Sequence, residues 1–224
     1  MYHPLKLDDL RPVVQRTTPV VFLDTALSAR GHRRSLLFTA PTRIIRADRQ
    51  DEVMDAVREV DRLSRKHWLA GFMAYEAGYA FEPRLQPLAP ARVDCPLVWF
   101  GVYDSPYVFD HERGRWTTRR PPGTRSGREA STPLRVAARL KSGLSYREYA
   151  YALSRIKRYI AGGHTYQVNY TFDESLQTSA GSWRLYRWLR RKQRVPFSAY
   201  MATGDVTVLS FSPELFFSFD RRRV

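Results

Sequence analysis

The sequence predicts an α+β protein whose strands run antiparallel. Short apolar segments face each other across tight turns at 107–118 and 197–212, as hairpin strands do. Helical periodicity marks residues 51–66 and the stretches that follow Ser145 and Ser182. With 224 residues, 43% of them hydrophobic, the chain can bury a sizeable core.

In chain order, Val20 to Leu27 reads as a strand, and the basic turn 29–34 leads to a second one at Ser35–Phe38, stopped by Ala40-Pro41. Residues 51–66 place Val53, Ala56, Val57, Val60 and Leu63 on one helical face. Asp51 and Glu52 start that helix and Arg65 and Lys66 end it, as its dipole prefers. Residues 71–83 begin like a strand, and Gly71 and Gly78 keep them from being helical. Leu97–Tyr103 is a further strand. Tyr107–Phe109 and Arg115–Thr118 flank the turn His111-Glu112-Arg113-Gly114.

Residues 119–133 are nearly devoid of apolar side chains and read as a linker. The expected division is therefore 1–118, a linker over 119–140, and a second region from 141 to 224. Ser145 and Glu148 form a capping box that opens a helix bearing Tyr149, Leu153, Ile156 and Ile160 on one face, and Gly162-Gly163 closes it. Tyr166–Phe172 alternates as a strand does. Ser182 caps a helix carrying Leu185, Trp188 and Leu189. Strands are then expected at 197–203, 206–212 and 214–219.

Several functional classes are excluded or disfavoured. Neither a run of eighteen apolar residues nor a signal-peptide core occurs, so no membrane span is expected and a cytoplasmic location is the simplest reading. Cys95 is the single cysteine, which rules out an intrachain disulfide and a thiolate metal cage. The five histidines are not spaced as metal ligands. Phosphate-binding glycine loops and the Gly-x-Ser-x-Gly elbow are missing. Residues 111–224 hold 22 of the 37 basic side chains and 8 of the 22 acidic ones. Such asymmetry can attract nucleic acid or an anionic ligand. The preference for arginine over lysine is as well explained by coding composition, so nucleic acid is disfavoured as a partner.

Three polar clusters sit in apolar surroundings. Tyr75-Glu76-Ala77-Gly78-Tyr79 reads best as a tight turn packed by aromatic rings. Gly163–Asn169 joins a helix end to a strand, where α/β proteins place ligands. There Gln167 and Asn169 would share a strand face and could hold a ligand or each other. Ser210-Phe211-Ser212-Pro213-Glu214 puts a carboxylate in an apolar run. Glu214 could be a salt-bridge partner, or a general acid whose pKa is raised by apolar neighbours.

The ordered set Tyr166-Gln167-Val168-Asn169, Pro196-Phe197-Ser198-Ala199-Tyr200 and Ser210-x-Ser212-Pro213-Glu214-Leu215-Phe216 resembles the chorismate-utilising enzymes. These include anthranilate synthase component I, aminodeoxychorismate synthase component I and their isochorismate relatives. Phe72–Glu82, with Leu23-Asp24-Thr25-Ala26 and Arg34-Ser35-x-x-Phe38, is most similar to aminodeoxychorismate synthase component I, in the form often fused to a lyase domain. The resemblance covers nearly the whole chain.

The resemblance implies an α+β fold in which two antiparallel sheets sandwich helices. It implies amination of chorismate at C4 with ammonia from a glutamine amidotransferase partner, Mg²⁺ holding the substrate, on the route to 4-aminobenzoate and folate. Glu214 would give a proton to the leaving hydroxyl, and Gln167 and Asn169 would touch substrate. A lysine in a Pro-Ile-Lys-Gly-Thr motif, thought to form a covalent adduct with the ring, is expected shortly after Ser-Pro-Glu. That motif is not among the 224 residues. The expectation is thus an N-terminal portion, incomplete at its C-terminus and inactive alone, with the Mg²⁺ ligands and the arginine that grips the substrate carboxylate outside it.

A tryptophan pocket also carries over, onto Thr25, Arg34, Ser35, Leu36, Leu37, Pro196, Phe197 and Ser198. Arg34 stands where an aromatic or small residue is usual, so packing is the weightier expectation for this group and L-tryptophan a ligand to be tested. Gly163-His164 replaces the usual Gly-Asp. Two rival readings are anthranilate synthase component I, against which Tyr75–Tyr79 argues, and a non-catalytic module that senses tryptophan or chorismate or binds nucleic acid.

Overall fold

The structure is a computed structural model, which describes residues 2–27, 33–124 and 140–218. These residues fall into two compact units, one of 2–124 with 182–218 and one of 140–181.

The larger unit is built on two antiparallel sheets. The first has six strands: β1 (Val20–Asp24), β2 (Arg34–Thr39), β6 (Tyr107–Asp110), β7 (Arg115–Trp116), β10 (Phe197–Ala202) and β11 (Thr207–Ser212). They lie in the order β11-β10-β1-β2-β6-β7. The second has three, β3 (Arg43–Ala47), β4 (Trp68–Met73) and β5 (Val98–Tyr103), with β5 in the middle. Helices α1 (Arg11–Arg16), α2 (Gln50–Ser64) and α4 (Ser182–Lys192) complete the unit, with a 3₁₀ turn at Tyr75–Phe81.

The two-residue period of a strand decides where each side chain goes. Val20, Phe22, Leu37, Tyr107, Phe109 and Tyr200 project from one face of the six-stranded sheet, against Val13 and Val14 of α1 and Trp183 and Tyr186 of α4. Val21, Phe38, Ala199 and Met201 project from the other face and meet Ala70, Trp99 and Tyr103 of the second sheet. The far side of that second sheet buries Ile45, Val98 and Val102 under Val53 and Ala56 of α2. Within this unit the two sheets therefore meet face to face, and the helices cover their outer faces rather than filling the space between. The α+β expectation holds, with the layers in that order.

Local sequence explains the elements. The carboxylate of Glu52 accepts the N–H groups of Asp48 and Arg49, at 3.0 and 3.2 Å, and so closes the first turn of α2. The β6–β7 turn uses Gly114 at φ 64° and the β10–β11 hairpin uses Gly204 at φ 122°, backbone states that a side chain would oppose. Asp205, beside Gly204, accepts the Thr203 hydroxyl at 2.7 Å and pairs with Arg46 of β3 at 2.8 Å. Those two contacts lower its pKa to about 2.

Gly71 in β4 faces β5 at very close range. A Cβ there would collide with the Trp99 carbonyl and lie 2.7 Å from the Phe100 Cα, both backbone atoms that cannot swing aside. Gly71→Ala is expected to cost on the order of 3 kcal/mol, at the upper end for an overpacked site. Urea unfolding of the variant beside the parent measures the loss.

The smaller unit contains β8 (Leu140–Ser142) paired with β9 (Glu174–Leu176), and helix α3 (Tyr146–Ala161). The capping box is formed: the Glu148 N–H donates to Ser145 Oγ at 3.3 Å, and the Glu148 carboxylate accepts the Ser145 N–H at 2.9 Å. No residue of α3 is buried, and Tyr146, Tyr151 and Ile160 are exposed.

Three expectations are corrected. The division 1–118, 119–140 and 141–224 does not describe the packing, because residues 182–218 return to the first sheet and pair β10 with β1 over five positions, Val20 with Ala202 through Asp24 with Ser198. Residues 166–172 are not a strand, for they have no ladder partner among the described residues and lie largely exposed; pairing is taken up instead by 174–176. Nor do 214–218 form a third strand, since the Ser212–Glu214 turn ends β11; the rest of that expected strand, and the turn 28–32, lie outside the described residues.

Candidate functional site

Glu214 follows directly on β11. The Ser212 hydroxyl donates to the Glu214 carbonyl at 2.8 Å, and the Glu214 N–H donates back to Ser212 Oγ at 3.2 Å. Ser-Pro-Glu is thus a self-bonded turn that fixes the backbone and leaves the carboxylate outward. Glu214 is exposed, which corrects the expectation of an acid enclosed by apolar neighbours. Leu215, Phe216 and Phe217, which follow it, are exposed as well.

Gln167 and Asn169 belong to the smaller unit. Gln167 Nε2 donates to Asn169 Oδ1 at 3.4 Å, so the two amides hold each other. Both are exposed.

The eight positions of the expected tryptophan pocket do not form one lining. Thr25, Ser35 and Ser198 are buried, and Ser35 and Ser198 share the helix-covered face of the first sheet with Leu37 and Tyr200 by strand alternation. Leu36 packs on the opposite face, and Arg34 is exposed. Pro196 and Phe197 are half-buried. The Thr25 N–H donates to Ser35 Oγ at 3.0 Å, and the Thr25 hydroxyl donates to the Arg34 carbonyl at 3.0 Å.

Sequence reasoning missed what surrounds these hydroxyls. Asp24, whose side chain is wholly buried, receives Arg190 from α4 in a two-pronged ion pair, with Arg190 Nη2 at 3.1 Å from Oδ1 and Nε on Oδ2. The Tyr186 hydroxyl donates to the same carboxylate at 3.1 Å. Burial drives the Tyr186 pKa well above the phenol range. Burial opposes the Arg190 charge, and Asp24 outweighs that, so the guanidinium ends above its ordinary pKa. His111, with no exposure at all, lies 2.8 Å from Ser35 Oγ through Nε2 and 2.8 Å from the His3 carbonyl through Nδ1. The Ser198 hydroxyl is buried without a hydrogen bond of ordinary geometry, close enough to Tyr186 to act on its ionisation.

Two signals for this cluster were available. Asp24 ends the apolar run Val20–Leu23, and Arg190 continues the i, i+3, i+4 stripe of Trp183 and Tyr186. The inward face of α4 is that stripe; Leu185, Trp188 and Leu189, expected there, are only half-buried.

A metal fit can be tested on the same residues. Among those described, no group of three His, Cys, Asp or Glu side chains is placed to hold a metal ion. Also among them, no helix is long and apolar enough to cross a membrane.

Comparison with known proteins places this arrangement. Residues 24–224 match the family model of chorismate binding enzymes. This chain belongs to that family. Among curated relatives, aminodeoxychorismate synthase component 1 of Klebsiella aerogenes is 31% identical over 154 residues, which are 65% of this chain and 34% of the relative. The Bacillus subtilis protein of that name is 25% identical over 173 residues, 66% of this chain and 36% of the relative. Anthranilate synthase component 1 of Pseudomonas putida is 32% identical over 174 residues, 66% of this chain and 35% of the relative. The chain spans about a third of the length of the curated relatives it matches. The match begins at Asp24, the acid of the buried ion pair, and includes the Ser-Pro-Glu turn and the Gln167–Asn169 pair.

Proposed function

We propose that these residues belong to an aminodeoxychorismate synthase component 1, which replaces the C4 hydroxyl of chorismate by ammonia to give 4-amino-4-deoxychorismate and water. The observation that carries this reading is the family match over 24–224, joined to relatives of that name at 24–31% identity. In this reading Glu214, its backbone fixed by the Ser212 turn, donates a proton to the leaving hydroxyl. The name component 1 implies a second component; a glutamine amidotransferase that supplies ammonia suits that place. Mg²⁺, where the whole gene product uses it, would neutralise substrate carboxylate charge. The buried hydroxyls of Thr25, Ser35 and Ser198 are read as packing, since Asp24, His111 and Tyr186 take up the space beside them; calorimetry with L-tryptophan tests that.

Anthranilate synthesis is the second reading, favoured by relatives from Thermus thermophilus and Pseudomonas putida that carry that name. The deciding measurement is chorismate turnover by the whole gene product with ammonium salts and Mg²⁺, products separated by chromatography. 4-Amino-4-deoxychorismate supports the first reading and anthranilate the second. Consumption of no chorismate overturns both. Residues 1–224 alone, which contain no Pro-Ile-Lys-Gly-Thr lysine, are expected to give neither product.

A further inference from the structure

We propose that His111 is an acid-operated catch that holds the N-terminal segment, residues 2–7, against the end of the first sheet. The geometry constrains the proton positions. The His3 carbonyl can only accept, so His111 Nδ1 carries a hydrogen. On the other side Nε2 faces Ser35 Oγ, which already accepts the Thr25 N–H and has one proton of its own to give. With a neutral ring, that proton goes to Nε2. With a charged ring, Nε2 donates to Ser35 and the hydroxyl turns to Asp24 Oδ1, 3.1 Å away. Ser35 thus links the ring charge to the carboxylate that holds Arg190 and Tyr186.

Charge decides which state the closed fold prefers. The groups facing the ring are Asp24 from β1, Ser35 from β2, Asp110 from the end of β6 just before it, Arg190 from α4, and Tyr2 and the His3 backbone from the segment. Asp24 is already matched by Arg190, so an imidazolium would add an uncompensated charge in a place without water. Burial accordingly holds the His111 pKa below 6.5; it outweighs the His3 carbonyl and Asp24, which favour the charged ring, with Arg190 acting in the same direction as burial and Asp110 against it.

The cover over the ring is made by Tyr2 and His3. Tyr2 stacks on it, with centroids 4.8 Å apart at 13°, and its hydroxyl donates to the Thr25 carbonyl at 2.6 Å. The His3 N–H donates to the His111 carbonyl at 2.7 Å, and Leu5 and Leu7 are buried in the core below. Hydrating a protonated ring requires only that this segment lift, while the sheets stay closed. The sign follows by linkage: the contact is fully present above the ordinary histidine value of 6.5 and is lost as pH falls through the lowered value in the closed state.

Hydrogen exchange of the intact chain between pH 7.5 and 5.0, corrected for intrinsic rates, tests this. Protection of the peptide covering residues 2–7 should fall by up to about tenfold per pH unit between 6.5 and the closed-state pKa and level off below it, while β5 keeps its protection. His111→Gln should abolish that pH dependence and His3→Gln should retain it. Unchanged protection of 2–7, equal loss in β5, or a wild-type pH response surviving in His111→Gln would each overturn the proposal. If His111→Gln does not fold, nitrogen NMR of wild-type His111 decides: a pKa at or above 6.5 with the segment closed overturns the catch, and a lower one accompanied by release supports it.

Discussion

Asp24→Ala is expected to destabilise the larger unit by about 3–5 kcal/mol, the cost of leaving a buried cation without its partner. Arg190 is 13% exposed at its side chain and Asp24 not at all, so water cannot take over for the lost carboxylate. The substitution also removes the acceptor of the Tyr186 hydroxyl and one acceptor near Ser35. Asp24→Asn keeps the shape and one oxygen, and should recover only part of the loss, because the guanidinium charge stays uncompensated. Asp24→Leu combined with Arg190→Met should be far milder than Asp24→Ala, since an apolar pair of similar size removes both charges together. Urea unfolding of the four proteins measures this. A loss below about 1 kcal/mol for Asp24→Ala would mean that the pair behaves like one on the surface.

The second large effect is on chemistry rather than stability. In the whole gene product, Glu214→Gln is expected to lower chorismate turnover by about 10²–10⁴-fold, the usual range for removing a positioned acid. The amide keeps the side chain's size and has no carboxylic proton to give. Because Glu214 is exposed and its turn is made by the Ser212 hydroxyl and backbone atoms, the unfolding midpoint should not move. Steady-state kinetics beside a melting curve separate the two. A loss below about tenfold would deny Glu214 the role of proton donor.

Much of this was legible in the sequence because the relevant signals are local. The Val53–Leu63 spacing, the Ser145–Glu148 capping box and the glycine turns at 114 and 204 each rest on a few consecutive residues, and each element formed where expected. The Ser-Pro-Glu segment was legible as a motif, though not as an exposed turn; exposure depends on which strands stand beside it. The alternation at 166–172 misled because a two-residue period describes a strand only if a neighbour offers a ladder. The ion pair of Asp24 with Arg190 spans 166 residues, and the His111 contact with Ser35 spans 76. No periodicity in a single sequence announces such partners. A lone acid closing an apolar strand says that a counter-charge exists, without saying where.

The placement of β10 in the middle of a sheet begun by β1 has a consequence for synthesis. Its edge-on neighbour is made between 174 (198 − 24) and 182 (202 − 20) residues earlier, so β1 leaves the ribosome with one flank open and Asp24 without its counter-charge. Closure must wait for α4 and β10 to emerge, which makes the β10–β11 hairpin the step that commits the larger unit and the interval before it the window in which a chaperone has most to shield.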